Sequence, residues 1–346
     1  MPGRPDPDLL DDPAAYLQMG IGLTQFGRGK GAIAIADRAL DERPDDPLLG
    51  ALSRHIASAG IDSFHLPMLH DHARNSAYAA ALMRLAPGKR VLDIGTGSGL
   101  LAMIAARAGA SHVYACEREP RLAETATRIV AANGLSDRIT VLPVASGELD
   151  RDTDLDGGVD LVLSEVFSAS LLEEGVIPSL ADARVRLCRP GAKFLPADAE
   201  IRVALAELDE EPRTVATVEG FDLSLFARHL PVHRFLHQSE PRLSLRSMPA
   251  SLFKFDFAAD IALTETASLG LDSLGGRVTG VVQWIRFSAC PGIAYENGPD
   301  PAGNSHWRLV YTPFTDPYET GAGQTVIVNG WRNQAMLTIW AEAMTD

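Results

Sequence analysis

Cysteine is scarce in this chain. Only three occur in 346 residues, Cys116, Cys188 and Cys290, and they lie far apart. An odd, scattered set makes no disulfide framework and no C-x-x-C metal pair, so no metal site is expected. A reducing compartment follows. Long apolar runs are missing too: none approaches the roughly 18–20 residues that span a bilayer. The opening segment Met1-Pro2-Gly3-Arg4-Pro5-Asp6 carries no apolar signal core. Together these features predict a cytoplasmic protein. Positive charge is also short, with 31 Lys and Arg against 45 Asp and Glu, a net charge of −14. That balance argues against general affinity for nucleic acid or an anionic membrane. It suits a basic partner, such as an arginine-rich protein or peptide, although an acidic surface also serves solubility.

What is present reads as three regions. Residues 13–46 predict a helical hairpin. Tyr16, Met19, Gly20 and Leu23 share one face, Ala32, Ala36 and Ala39 another, and Pro44 stops the second helix. This spacing resembles a tetratricopeptide repeat, in which small residues let two helices cross closely. Leu48–Ser58 predicts a third, capping helix. A single repeat cannot bury its own face, so residues 1–58 must pack on the next domain or on a partner.

From about 59 to 198, strand and helix alternate. Strands are expected at Arg90–Ile94, His112–Cys116, Ile139–Val144 and Val159–Leu163. Helices are expected at Leu100–Ala108, Leu122–Asn133 and Ser179–Leu187, the last closed by Arg189-Pro190-Gly191. Such βαβ alternation gives an α/β fold with a parallel, doubly wound sheet. From 199 to 346, short runs rich in β-formers predict an antiparallel barrel or sandwich: Ile201–Leu205, Leu252–Phe257, Val278–Phe287, Trp307–Tyr311, Thr325–Val328 and Met336–Trp340. Glu210–Leu236 predicts a helical excursion between the first two. An α/β half followed by a β half predicts an active site in the cleft between them.

Chemistry begins at Asp93-Ile94-Gly95-Thr96-Gly97-Ser98-Gly99, which joins the first strand to the first helix. Glycines let the backbone turn and let a ligand approach. The spacing is not the dinucleotide G-x-G-x-x-G, because position 100 is leucine. Glu117, after the second strand, is placed to accept from both hydroxyls of a ribose. Ser146-Gly147-Glu148 follows the third strand, where an adenine edge would lie. Loop, acid and Ser-Gly-Glu in this order predict S-adenosylmethionine as the bound cofactor.

The fourth strand ends in Ser164-Glu165-Val166-Phe167-Ser168-Ala169-Ser170-Leu171-Leu172-Glu173-Glu174-Gly175. Ligands of open α/β sheets bind beyond the carboxyl ends of the strands, so Glu165 should project toward the ligand. Glu174 sits across a hairpin-like loop from it. Two carboxylates beside a methyl donor call for a planar cation, and the guanidinium of arginine is one. The Asn-Pro-Pro-aromatic run used by many exocyclic-amine methyltransferases is absent here.

At these residues the chain resembles the protein arginine methyltransferases. Ser164–Glu174 matches their double-glutamate loop, and Ser305-His306-Trp307 their Thr-His-Trp loop. Met68-Leu69-x-Asp71-x-x-Arg74-x-x-x-Tyr78 matches the motif before their methyltransferase fold, and Asp93–Gly99 their donor loop. Phe221-Asp222-Leu223 resembles part of their dimerisation arm. The resemblance covers about 59–346 and leans toward the divergent members, some of which carry tetratricopeptide repeats. It implies a Rossmann-like methyltransferase domain over 59–198, a β-barrel domain over 199–346 and a homodimer. It implies that Arg74, Asp93, Gly95, Gly97, Gly99, Glu117, Gly147 and Glu148 bind the donor. It further implies that Glu165 and Glu174 clamp the guanidinium, that His306, paired with Asp71, takes part in proton removal, and that Phe167 and Trp307 wall the substrate. Val166-Phe167-Ser168-Ala169 replaces the Trp-Met-Gly-Tyr of the asymmetric-dimethylating members, which implies a pocket that resists asymmetric dimethylation. Two alternatives stay open at this point: a methyltransferase for a small guanidino or amine metabolite, and a donor-binding scaffold without activity.

Overall fold

The computed structural model describes residues 7–25, 29–59, 61, 64–210, 217–229 and 231–342. The chain divides into two compact units. One comprises Met1–Leu66, Leu82–Glu165 and Val185–Ala192, the other Pro67–Ala81, Val166–Arg184 and Lys193–Asp346.

The first unit opens with helices α1 (Pro13–Gln25), α2 (Gly29–Glu42) and α3 (Pro47–Ser58). Local chemistry sets their starts. Asp12 Oδ1 accepts from the amides of Ala14 and Ala15, and Asp46 Oδ1 from those of Leu48 and Leu49, with Pro47 opening the helix. Tyr16, Ala32, Ala39, Leu49 and Ile56 form the core of the bundle. Gly20 lies at a crossing so close that a Cβ there would sit 2.4 Å from Ile56 Cδ1. Met19, expected on the same face, is exposed instead. The bundle does not stand alone: Asp37 of α2 pairs with Arg128 of a later helix in the same unit.

The four expected parallel strands are present, and a fifth strand, not expected, extends their sheet. The sheet contains β1 (Arg90–Ile94), β2 (His112–Cys116), β3 (Ile139–Leu142), β4 (Val159–Ser164) and β5 (Cys188–Leu195), in the order β3-β2-β1-β4-β5. The order reverses between β1 and β4, the switch point where open sheets bind ligands. Helices α4 (His65–Leu69) and α5 (His72–Leu85) precede β1, and α6 (Leu100–Arg107), α7 (Pro120–Ala132) and α8 (Val176–Arg186) follow β1, β2 and β4. Arg189-Pro190-Gly191, expected to close a helix, lies inside β5. β5 is an edge strand, where the missing amide of proline need not serve a ladder. Helix α7 starts two residues early because Glu119 caps it and Pro120 fits the first turn.

The β half is antiparallel. A seven-stranded sheet runs β10 (Leu243–Leu245), β6 (Asp198–Leu208), β13 (Gly276–Cys290), β15 (Leu309–Thr320), β9 (Arg234–Leu236), with β11 (Ala250–Asp256) also on β6 and β14 (Ile293–Glu296) on β13. A three-stranded sheet joins β12 (Glu265–Asp272), β16 (Thr325–Arg332) and β17 (Leu337–Ala341). Ala204, Ala206, Val282, Trp284, Leu309 and Tyr311 form a core beneath the larger sheet. The expected helical excursion differs. Residues 211–216 and 230 lie outside the described residues. The rest is a two-stranded hairpin, β7 (Thr217–Val218) with β8 (Phe221–Asp222), and a 3-10 turn at Ser224–His229. Asp222 Oδ1 accepts from the amide of Ser224 and starts that short turn. Gly220 and Glu219, both with positive φ, make the hairpin. Among the described residues, no helix is long and apolar enough to cross a membrane.

Candidate active site

The donor loop is built by β1 and β2. Gly95, Gly97 and Gly99 all have positive φ (73°, 54° and 80°), a region costly for residues with a side chain. The amides of Gly95 and Thr96 donate to the Cys116 carbonyl at 3.0 Å. Asp93, buried at the end of β1, accepts from Thr96 Oγ1 at 2.6 Å. Glu117, only 7% exposed, accepts from Gly97 N at 3.0 Å through Oε2 and from Glu119 N at 2.8 Å through Oε1. Each carboxylate oxygen keeps a second lone pair. Glu117 thus ties the glycine loop to β2 and still has acceptor capacity for a diol. Burial pushes the Cys116 thiol up to about 12, so it is inert.

After β3, Ser146–Glu148 forms a single 3-10 turn. Arg186 holds it from below, donating to the carbonyls of Ser146, Gly147 and Leu149 at 3.2, 3.2 and 2.8 Å. Glu148 and Gly147 are exposed. A Cβ at Gly147 would meet nothing within 4 Å, so local sterics do not demand glycine there. Arg186 carried no sequence motif, and only the fold shows that it braces this turn.

Glu165 follows β4 directly and is half-buried. The segment after it is hairpin-like, as expected. Ser168 and Leu171 form an isolated antiparallel bridge, with Leu171 N donating to Ser168 O at 2.9 Å. Leu171 has a φ of 77° yet is fully buried, a strained turn that its burial holds in place. Glu173 and Glu174 are exposed on the last turn before α8. Phe167 and Trp307 are buried, at 3% and 4% exposure. Their rings lie 6.2 Å apart among Phe257 and Phe287. Trp307 Nε1 donates to the Phe167 carbonyl at 2.7 Å. In this setting both side chains act as packing that fixes the loop.

A polar cluster in the second unit centres on Asp71. Its Oδ1 accepts from Arg74 N at 3.0 Å, capping α5. Its Oδ2 accepts from Tyr295 Oη at 2.9 Å, His306 Nδ1 at 2.9 Å, His306 N at 3.2 Å and Ser305 Oγ at 3.3 Å. Burial would raise the Asp71 carboxyl, but the bonds from His306, Arg74 N and Tyr295 outweigh it and lower it to about 2. Asp71 is therefore ionised at neutral pH. The Nδ1 contact to that carboxylate then requires a proton on Nδ1. The guanidinium of Arg74, also buried, donates to Asn75 Oδ1 at 2.6 Å and lies 5.4 Å over the Tyr78 ring. Tyr78 packs in turn on Phe287 at 5.4 Å. The spaced motif Asp71…Arg74…Tyr78 is thus the cap and about the first two turns of α5. Tyr295, which carried no motif, is the member of the cluster that the sequence left hidden.

The chain is similar to several known proteins. Residues 77–195 match the family described as ribosomal protein L11 methyltransferase (PrmA). An arginine N(omega)-methyltransferase of Streptomyces achromogenes subsp. streptozoticus is 36% identical over 354 residues, covering 95% of this chain and 93% of that protein. Protein arginine N-methyltransferase 7 of Oryza sativa subsp. indica is 31% identical over 262 residues, covering 68% of this chain. This chain spans about a third of that longer relative, 36% of its length. Among solved structures, the Trypanosoma brucei PRMT1 enzyme-prozyme heterotetrameric complex with AdoHcy superposes with a TM-score of 0.72 at 24% identity, covering 82% of this chain and 98% of that one. Arabidopsis thaliana protein arginine methyltransferase 10 gives 0.67 at 20% identity, covering 83% and 98%. These two share the fold. With the donor loop, the strand order and the Asp71–His306 pair in place, the full-length match to the Streptomyces protein shows that this chain belongs to the arginine N-methyltransferase family.

Proposed function

We propose that this chain transfers a methyl group from S-adenosylmethionine to a guanidino nitrogen of arginine. The observation that carries this reading is the match to an arginine N(omega)-methyltransferase across 95% of the chain. The residues fit the donor: positive-φ glycines clear space beside the end of β1, and Glu117 keeps acceptor lone pairs there. S-adenosylmethionine supplies an electrophilic methyl on its sulfonium. Asp93, Gly95, Gly97 and Gly99 line the donor side, Glu117 takes the ribose hydroxyls, Gly147 and Glu148 the adenine edge, and Arg74 a carboxylate. The domain boundaries 1–58, 59–198 and 199–346 belong to the same reading, with the helical extension as a tetratricopeptide-like module and a cytoplasmic setting.

Glu165 and Glu174 are read as a guanidinium clamp. A guanidinium has a pKa above about 12, and its full prior deprotonation at pH 7 would cost roughly 7–9 kcal/mol. Carboxylates raise that cost further, because they favour the cation. Their role is therefore to hold the group, draw its charge toward the bound nitrogens and leave the attacking nitrogen electron-rich. As the new N–C bond forms and the S–C bond breaks, the surplus proton on the methylated nitrogen passes to Glu174 or to the His306–Asp71 pair. In the second case Asp71 stabilises the imidazolium.

The acceptor arginine sits in a protein or peptide on the motif reading, and the charge of −14 suits a basic polypeptide. A second reading, free arginine, is supported by the similarity to an arginine N(omega)-methyltransferase across 95% of the chain. A homodimer is proposed through the 210–236 excursion, where Val218, Phe221, Leu225 and Phe226 expose apolar side chains. One experiment tests the function: incubation with labelled donor and arginine-bearing peptides, free arginine or small amines, with mass spectrometry of the products. Methylation of a guanidine is expected, and the products separate mono-, symmetric and asymmetric forms. Label on no guanidine would refute the reading.

A further inference from the structure

Arg121 is the second residue of α7 and is only 3% exposed. An arginine buried this deeply needs partners for its charge and its N–H donors. Its Nε donates to Glu119 Oε1 at 2.7 Å, and its Nη1 donates to the carbonyl of Ala59. Ala59 closes α3, so the cation sits at the negative end of that helix. Glu119 is the residue that caps α7. One guanidinium thus joins the end of the N-terminal bundle to the start of α7, and all of these residues lie in the first unit.

The same corner reaches the donor loop. Glu119 N donates to Glu117 Oε1 at 2.8 Å, and Gly97 N donates to Glu117 Oε2 at 3.0 Å. Two hydrogen bonds therefore separate Arg121 from the carboxylate read as the ribose acceptor. One runs from the guanidinium to the Glu119 side chain, the other from the Glu119 amide to Glu117. Glu119 Oε1 also accepts from Arg121 N at 3.3 Å, which ties it to the first turn of the helix. Helix α7 meets the loop again further along. A Cβ at Gly99 would lie 3.5 Å from Val130 Cγ2 and 3.8 Å from Ala126 Cβ, so a shift of α7 is felt at Gly99. The other tie from the bundle to α7, Asp37 with Arg128, is 42% and 54% exposed, and exposed pairs contribute little.

We propose that Arg121 is a positioning residue for the methyl donor: it clasps the end of α3 and the Glu119 cap, sets where the Glu119 amide meets Glu117, and so keeps that carboxylate aimed at the ribose. The inference rests on the reading of Glu117 as ribose acceptor. The N-terminal bundle then belongs to the frame of the donor site. Arg121→Met in the full chain keeps the apolar stem and removes the guanidinium. Donor Kd, read by calorimetry on the folded variant, should rise about tenfold, with kcat at saturating donor and KM for arginine within about twofold. In the absence of donor, the amides of Gly97 and Glu119 should exchange faster than in the wild type. An arginine with a structural role alone would lower the denaturation midpoint and leave Kd unmoved. Arg128→Gln cuts the exposed tie and should leave donor Kd within about twofold. A rise equal to that of Arg121→Met would overturn the proposal, because any loosening of the bundle would then suffice. So would an unmoved Kd in Arg121→Met where Glu117→Gln weakens binding. If neither of those two variants moves Kd, the reading of Glu117 fails. Amide exchange then decides the role of Arg121: faster exchange at Gly97 and Glu119 supports it, and unchanged exchange overturns it. If Arg121→Met fails to fold, Arg121→Lys keeps the buried charge without the fork and should also raise Kd; a value within about twofold of wild type would overturn the proposal.

Discussion

Replacing Asp71 with asparagine should destabilise the protein in a pH-dependent way, and the size of the effect follows from the cluster. The folded carboxyl titrates at about 2, against an ordinary value of 3.8. Between those values the unfolded chain binds the proton and the folded chain does not. The contribution is therefore fully present above the unfolded pKa and is lost as pH falls through the folded one. At pH 7 it amounts to about 2 kcal/mol, and at pH 3 about half of that remains. Asparagine keeps the shape but loses the charge that gathers His306 Nδ1, Tyr295 Oη and the His306 amide. The assay is urea denaturation of wild type and Asp71→Asn at steps from pH 7 to pH 3. The stability gap between them should shrink by about 1 kcal/mol over that range. A gap that stays constant, or widens toward acid, would refute the argument. So would a wild-type Asp71 carboxyl found by carbon-13 titration to ionise near its ordinary value.

Other perturbations reach different parts of the molecule. Glu165→Gln should remove most of kcat while donor affinity, read by calorimetry, stays near normal; collapse of donor binding would contradict the clamp. Glu117→Gln should weaken donor binding about 10- to 100-fold, because a charge-assisted acceptor is lost, and a Kd within about twofold of wild type would remove Glu117 from the site. Gly20→Val would drive a side chain into Ile56, already 2.4 Å from a notional Cβ, and should cost about 1–3 kcal/mol in denaturation; no loss would mean that α1 and α3 do not cross there.

Much of this was legible in the sequence because the signals are local. Strands β1 and β2 match their expected residues, since short apolar runs flanked by Gly and charged residues have one natural reading. The glycine loop was legible because three positive-φ turns leave little other choice of residue. The pairing of Asp71 with His306, 235 positions apart, was implied by the family resemblance of two motifs and not by any local rule. Tyr295 could not be found in this way. It sits on the four-residue strand β14, and its hydroxyl meets partners 224 and 10 positions away, at Asp71 and Ser305. The excursion was misread as helical because Phe221-Asp222-Leu223 has the composition of a helix start, whereas Gly220 and Glu219 turn the chain into a hairpin first. Arg189-Pro190-Gly191 was misread as a stop because proline and glycine punctuate most elements, yet an edge strand tolerates both.

Glu117 also bears on how the donor site is reached. One lone pair of each oxygen is already engaged, by Gly97 N and by Glu119 N. The carboxylate is thereby aimed, and the loop it anchors is ordered, before any ligand arrives. The entropy of organising this corner is lost during folding and not at the encounter. Donor association should then behave as rigid docking, with a rate set by diffusion and orientation and little change in amide protection of residues 95–99 upon saturation.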